Sequence, residues 1–427
     1  MALLASLALL FLMFAVPIGI ALAGASMVFI LVDPMMSSAT VFRSFFNFLS
    51  KYTLMAIPFF IYAGFLMERT GLIAKLFRFS DAIIGWVPGG YGFATLLAAV
   101  IFGAISGSST AMAAAMGVIA YPEMRKRGYP AWLAAGVIAS GGGIAILIPP
   151  SILLILFGVL TETSIVQLFF AGVVPGLLLA LSDAIVLVFF AWYLKLPSGR
   201  FDLGFMVSAT REAWPALLMP VILLGGLYGG VFTPTEAGAA ACGYALIYGL
   251  VVRRREFLKE LLPVTLRALN LNAVIFLLLG CVGVFQFVLA NKGWAQHLLQ
   301  WATSLDLTAA GFLLVLLPAL LFLSMFLSGI AIVVLTVPIF FPVAMLFDIN
   351  PVLLGILTAL AMEMGVIIPP VGLNLFAVSG TTRVPLYEVI KGSSPFLFTD
   401  GLVLLLVLYV PILALWLPAR LVTSVFN

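Results

Sequence analysis

Two stretches of this 427-residue chain carry residue types suited to holding an ion or an acid, and they occur as a matched pair. Ile148-Pro149-Pro150 and Ile368-Pro369-Pro370 contain the only Pro-Pro dipeptides, 220 residues apart. Gly141-Gly142-Gly143 precedes the first and Met364-Gly365 the second. Proline lacks an N–H and clashes with the preceding helical turn, so each pair is expected to unwind a helix and free backbone carbonyls. Upstream of each break lies a small, hydroxyl-bearing tip: Ser106-Gly107-Ser108-Ser109-Thr110 in one case, Ser328-Gly329 in the other. Carbonyl and hydroxyl oxygens suit a hard monovalent cation such as Na⁺. The expected ligands, largely through backbone carbonyls, are Ser108, Gly142, Gly143, Pro149, Ser328, Gly329, Gly365 and Pro369, in two or more Na⁺ sites. Helix N-termini aimed at the same place would suit a carboxylate. The expected substrate-binding residues are Ser106, Ser108, Ser109, Thr110, Ser151, Glu363 and Asn374.

Composition determines where such a site would sit. Hydrophobic residues make up 64% of the chain and charged ones 8%, against about 25% charged in soluble domains, and mean hydropathy is +1.28. The solvent must be lipid. Apolar runs near 20 residues recur, which gives an all-α polytopic membrane protein, read as a single integral membrane domain over 1–427. The net charge of +4 lies in short loops, where it reports topology rather than an anionic partner, so nucleic acid is excluded. His297 is the only histidine, and both cysteines, Cys242 and Cys281, lie in apolar segments. No nucleophile–base pair or metal-ligand cluster for an enzyme is available.

Full crossings are expected near 3–31, 53–68, 131–160, 165–194, 213–231, 236–252, 269–290, 352–382 and 396–418. Residues 90–121 and 308–346 are too long for one crossing and carry the two tips at their centres, which predicts re-entrant hairpins. With Met1 cytoplasmic and both stretches re-entrant, 16 of the 20 basic residues fall inside and 4 outside, as the positive-inside rule requires; making only one hairpin a crossing destroys that split. The C-terminus then lies outside. Segments 39–52, 72–85 and 254–268 mix basic and apolar residues and are expected to lie at the interface.

Tips and breaks share one offset, as do Pro122 and Pro342, and Phe65–Gly71 aligns with Phe287–Gly293. Roughly 55–160 therefore repeats as 277–380, with inverted topology because the hairpins enter from opposite faces. Within the membrane the acids are Asp183, Glu236 and Glu363. Such groups are costly there and usually functional; Glu363 adjoins the second break.

Gly103-Ala104-Ile105-Ser106-Gly107-Ser108-Ser109, the two Ile-Pro-Pro breaks, Leu168-Phe169-Phe170-Ala171-Gly172-Val173-Val174-Pro175-Gly176 after Thr163-Ser164-Ile165, and Phe232-Thr233-Pro234-Thr235-Glu236-Ala237 resemble the large membrane (M) subunit of tripartite ATP-independent periplasmic (TRAP) transporters over essentially the whole chain. The resemblance implies an ion-transporter-type elevator in a bacterial inner membrane. It also implies Na⁺-coupled symport of an organic acid, handed over by a periplasmic substrate-binding (P) protein, and a small membrane (Q) subunit. The alternative is a stand-alone inverted-repeat anion symporter. Two positions depart from the family pattern: Met112 stands where an aspartate is frequent, and Ile368 where threonine is usual.

The topology is directly testable. Single cysteines at Lys126 and Arg254 are expected to react with an impermeant thiol reagent only from the cytoplasm, and cysteines at Asp306 and Asp348 only from outside. Reaction of positions 126 and 306 from one face would break the two-hairpin arrangement.

Overall fold

A computed structural model describes residues 2–14, 16–34, 36–304 and 306–425, and among them every named element is a helix. Met1 and the C-terminal Asn427, whose sides of the membrane the charge pattern assigns, lie outside the described residues. The single crossing expected over 3–31 is instead two helices, α1 (Ala2–Met13) and α2 (Ile18–Val32). Pro17 precedes α2 in an extended conformation, and the chain folds back so that the Phe11 ring packs on Gly24. Uniform hydropathy through this run hides the turn.

Interface segments and crossings follow. The surface helix α3 (Ala39–Leu49) leads through a 3-10 turn (Tyr52–Met55) into α4 (Ala56–Arg69), with a 57° bend between them. Gly71, at φ +75°, then turns the chain into α5 (Leu72–Ile84), the second interface segment. The first hairpin is α6 (Gly90–Ser106) and α7 (Ser109–Lys126), and the first broken helix is α8 (Ala131–Ile144) and α9 (Ile152–Thr161). Three long helices come next: α10 (Ile165–Tyr193), α11 (Leu203–Tyr228), which starts before the expected 213, and α12 (Pro234–Val252). Glu236 closes a capping box on α12, its Oε2 accepting from the Thr233 N–H at 2.8 Å, so this acid is occupied by helix initiation.

Residues 254–268 do not form a separate surface helix. They begin α13 (Arg254–Asn291), 38 residues running through Pro263 without a break. At ~1.5 Å per residue that is about 57 Å, well beyond a ~30 Å hydrocarbon core, so the charged N-terminal part is a continuous extension of the crossing helix rather than a separate element. After Gly293, at φ +62°, comes α14 (Trp294–Ser304), for which the sequence offered no expectation. It matches α5 after Gly71. The second hairpin is α15 (Ala309–Ser324) and α16 (Gly329–Leu346), and the second broken helix is α17 (Pro351–Gly365) and α18 (Leu373–Thr382). Expected crossing 396–418 is divided at Val410-Pro411 between α19 (Leu386–Tyr409) and α20 (Ile412–Val425). Six described helices are long and apolar enough to cross a membrane singly: α10, α11, α12, α13, α16 and α19.

Helices α8 and α17 form the centre. All residues from Leu133 to Ile144 and from Val352 to Gly365 are buried, although both sequences look no more apolar than the lipid-facing helices. Small residues permit this: Gly136 on α8 meets Gly392 on α19 backbone to backbone, so that a Cβ on Gly392 would fall on the Trp132 carbonyl. Close approach through glycine is how helices gain van der Waals contact where lipid removes the hydrophobic incentive.

Gly392→Val is therefore expected to lower thermal stability in detergent by ~1–3 kcal/mol, the cost of overpacking. Gly225→Ala and Gly243→Ala, where a Cβ meets nothing within 4 Å, should leave the melting midpoint unchanged. Equal midpoints for all three would remove the Gly136–Gly392 contact from the stability of the bundle.

Candidate functional site

The first hairpin turns at Gly107, whose φ of +58° favours glycine. Space demands glycine as well: a Cβ there would lie 2.7 Å from the Pro150 carbonyl oxygen, so the tip rests on the first break. Ser106 Oγ accepts from the Ser108 N–H at 3.3 Å, and α7 restarts at Ser109. At the second tip Ser328 caps α16, its Oγ accepting from the Ala331 N–H at 3.4 Å. Gly329 packs towards Leu153 of α9 and Met362 of α17. The tips thus meet around the two broken helices rather than lying apart in separate repeats.

Between them is a cavity of about 510 Å³. Ser106, Ser108, Ser109 and Thr110 line it from one tip, Ser328 and Gly329 from the other, so the N-termini of α7 and α16 open into one space. Phe65 and Glu68 of α4 and Arg267 of α13 line the same space. Arg267 pairs with Glu68 at 3.6 Å and lies 4.5 Å from the centre of the Phe65 ring, with its side chain half exposed. Beside it the Tyr62 and Thr265 hydroxyls are hydrogen-bonded at 2.8 Å, joining α4 to α13. The charge count places Arg267 in an interface segment. The continuity of α13 carries it to the cavity instead, and no local signal in the sequence marks it.

The breaks border this space through Ile146 and Val366. Each starts by tightening: Ile146 N–H donates to the Gly143 carbonyl at 2.9 Å and Ile368 N–H to the Gly365 carbonyl at 3.3 Å, bonds of 3-10 type. Among the described residues no hydrogen bond is accepted by the carbonyls of 145–150 or of 367–371. Both Pro-Pro bonds are cis. The two breaks differ in their surroundings, since 145–151 are buried throughout while Pro369 and Pro370 are exposed.

The remaining expected site residues lie behind the cavity wall. Ser151 is buried and caps α9, its Oγ accepting from Leu154 N–H at 3.4 Å. Asn374 Nδ2 donates to the Ala139 carbonyl at 3.0 Å and sits against Gly142, while its Oδ1 has no partner. Glu363 is fully buried with both oxygens unpartnered, packed so closely on Gly143 that a Cβ there would fall on the carboxyl group. Gly142 and Gly143 therefore touch the second repeat, Asn374 and Glu363, at the molecular centre. Met112, where the resemblance expects an acid, is fully buried near Gly141. Asp400, within the expected last crossing and not singled out from the sequence, is buried alongside Asp183.

Known proteins resemble the chain in sequence and in fold. The chain matches the family profile described as "Tripartite ATP-independent periplasmic transporter, DctM component" over residues 4–413. It is 41% identical over 368 residues to the C4-dicarboxylate TRAP transporter large permease protein DctM of Pseudomonas aeruginosa, covering 86% of each chain. The sialic acid TRAP transporter large permease protein SiaM of Vibrio cholerae is 32% identical, with 94% of each chain covered, and the ectoine TRAP transporter large permease protein TeaC of Halomonas elongata is 34% identical, with 86% of each covered. Among solved structures, the YdaH transporter of Alcanivorax borkumensis superposes with a TM-score of 0.60 at 16% identity over 91% of each chain, which shows a shared fold. These relatives are named as transporters and transporter permeases, not enzymes. Two hairpins, two broken helices and the match across nearly the whole sequence place this multi-pass membrane chain in the DctM family of TRAP transporter large permease subunits.

Proposed function

We propose that this subunit carries an organic dianion of the C4-dicarboxylate class across the bacterial inner membrane, coupled to Na⁺. The observation that carries the reading is the composition of the central cavity: two helix N-termini, five hydroxyl groups and a guanidinium line one space. Its volume falls within the usual range for small-molecule sites, roughly 300–1,000 Å³. One carboxylate would be held at the hairpin tips, where free N–H groups and the helix dipoles favour negative charge. The second would face Arg267, whose planar fork matches a carboxylate and whose present partner, Glu68, it can exchange for substrate.

Na⁺ would bind at the breaks. The carbonyls of 145–150 and 367–371 that accept no hydrogen bond supply hard oxygen ligands, and Gly142, Gly143 and Gly365 allow backbone to approach an ion closely. Hairpins and broken helices form the moving part of an elevator, with α4 and α13 presenting Arg267 from the fixed side. Capture of dilute solute falls to a periplasmic binding protein, and a small membrane subunit widens the fixed side. In support, Leu258, Leu262, Leu266 and Leu269 form an exposed apolar stripe along α13.

Uptake of radiolabelled succinate into proteoliposomes containing this chain, its small subunit and binding protein is expected to require inward Na⁺. Replacement by choline should abolish it. Arg267→Gln should reduce kcat/KM for succinate about 10- to 100-fold, the loss of one charged hydrogen-bonded contact of ~1.5–3 kcal/mol, with a smaller effect on a monocarboxylate. Ser108→Ala and Gly329→Leu should abolish transport without loss of inserted protein. Efficient uptake by this chain alone at low substrate concentration would reject the tripartite reading, and equal effects of Arg267→Gln on mono- and dicarboxylates would remove Arg267 from substrate selection.

A further inference from the structure

One ion pair ties the first broken helix to the chain that leads into α4. Lys51 Nζ donates to Glu162 Oε1 at 2.6 Å. Lys51 stands between α3 and the 3-10 turn that opens into α4, and its ammonium lies 5.0 Å from the centre of the Phe48 ring of α3. Glu162 is the C-cap of α9. Helix α9 packs on α4 and runs from cavity-lining Ile152 and Leu153 to this pair, about 15 Å at ~1.5 Å per residue. The cavity and the ion pair therefore sit at opposite ends of α9.

Glutamate is a poor choice for the helix alone. Its φ of +57° lies in the left-handed region, where a residue with a Cβ is disfavoured and glycine or asparagine is usual at a helix C-terminus. A carboxylate there also faces the negative end of the helix dipole. The repeat counterpart makes the contrast: α18 ends at Arg383, φ +60°, whose positive charge suits the dipole. Two local costs at Glu162 are set against one long-range contact, Lys51, and local rules broken in this way are a feature of functional positions. Packing at this end is incomplete. A cleft of about 560 Å³ is lined by Lys51, Tyr52 and Thr53 ahead of α4 and by Gly158, Val159 and Glu162 at the end of α9, so the ion pair borders open space rather than a packed interface.

In the expected topology Lys51 and Glu162 fall outside and Arg267, which lines the cavity, falls inside. We infer that Lys51–Glu162 is an outer latch: it holds α9 against α4 while the cavity opens towards the cytoplasm, and parts when α9 slides along α4 to carry the cavity outward. This rests on the proposal that hairpins and broken helices move against α4 and α13. An exposed pair suits the task. Side-chain exposures of 31% and 76% leave both groups in reach of water, so the pair biases the equilibrium only about two- to fivefold and its opening strands no charge. A buried pair in the same place would resist opening on every cycle, because separating its partners leaves charges without water.

The test needs no substrate and so stands apart from the Na⁺ and dicarboxylate readings. It follows Ala114→Cys, at a cavity-lining position, in proteoliposomes of the full chain; both native cysteines are buried. Reaction with an impermeant maleimide is expected from both faces. The ratio of outer to cytoplasmic rates should rise about two- to fivefold when Lys51→Gln or Glu162→Gln is added, and the charge exchange Lys51→Glu with Glu162→Lys should bring it back towards the starting value. Raising ionic strength with KCl should raise the ratio while the pair is present, by screening, and leave it unchanged in the two neutral variants. Reaction from one face only, with and without the substitutions, would overturn the moving-helix proposal and the latch with it. Reaction from both faces with a ratio indifferent to salt and to both single substitutions, or one that the exchange does not lower, would overturn the latch alone.

Discussion

Backbone polar groups cannot be left unpaired in hydrocarbon, yet the two proline pairs of this chain leave two sets of carbonyls without helical partners. The structure follows from the enclosure of those two breaks. Helices α8 and α17 are buried along nearly their full length because they lead into them, and the hairpins, α10 and α19 surround them. Enclosure on that scale requires backbones to approach one another, and the glycines at 103, 107, 136, 142, 143, 365 and 392 sit where a Cβ would meet neighbouring atoms. One packing rule thus accounts for the small residues around both breaks.

Enclosure is uneven, and the unevenness gives the centre its chemistry. The first break is wholly buried, while the second reaches the surface at Pro369 and Pro370. The hairpin tips close over the breaks but leave the cavity between Ser108 and Ser328, so hydroxyls and two helix N-termini face open space while the carbonyls lie behind them. The helix N-termini at the tips and the unpaired carbonyls of the breaks are far apart in the chain yet adjacent in space, as Gly107 is to the Pro150 carbonyl. Such proximity of opposite preferences is what linked binding of an anion and a cation needs, since each ion neutralises part of the field that would oppose the other.

Arg267 and the buried acids extend this pattern in two directions. The guanidinium is held from α13, a helix unbroken through 38 residues and tied to α4 by Tyr62–Thr265 and Glu68–Arg267. Its position therefore depends on α4 and α13 rather than on the hairpin turns themselves. The acids lie behind the cavity wall, and Glu363 touches Gly143 directly. Met112, standing where the family resemblance expects an aspartate, leaves the buried side of the first hairpin apolar at that point.

Composition and period alone determined that the chain is a helical membrane protein, and the offset of 220 between Pro-Pro pairs determined that it has two matched halves, because loss of an N–H breaks a helix whatever surrounds it. The hairpin tips were legible for the same reason: small polar residues in the middle of an apolar run have few other uses. Turns at Val16-Pro17 and Val410-Pro411 were not legible as breaks, since a single proline can be kept inside a helix, as Pro263 is in α13. Hydropathy is indifferent to which outcome occurs; neighbouring helices decide it by satisfying the freed groups or not. Tertiary structure also decided which polar residues meet. Ser151, Asn374 and Glu363 carry the right chemistry and sit beside the breaks in sequence, yet helix rotation turns them away from the cavity. The same geometry brings Arg267 from the distant α13 into the cavity lined by Ser106 and Ser108, because side-chain meetings across a bundle depend on how its helices rotate and cross, which no stretch of sequence encodes locally.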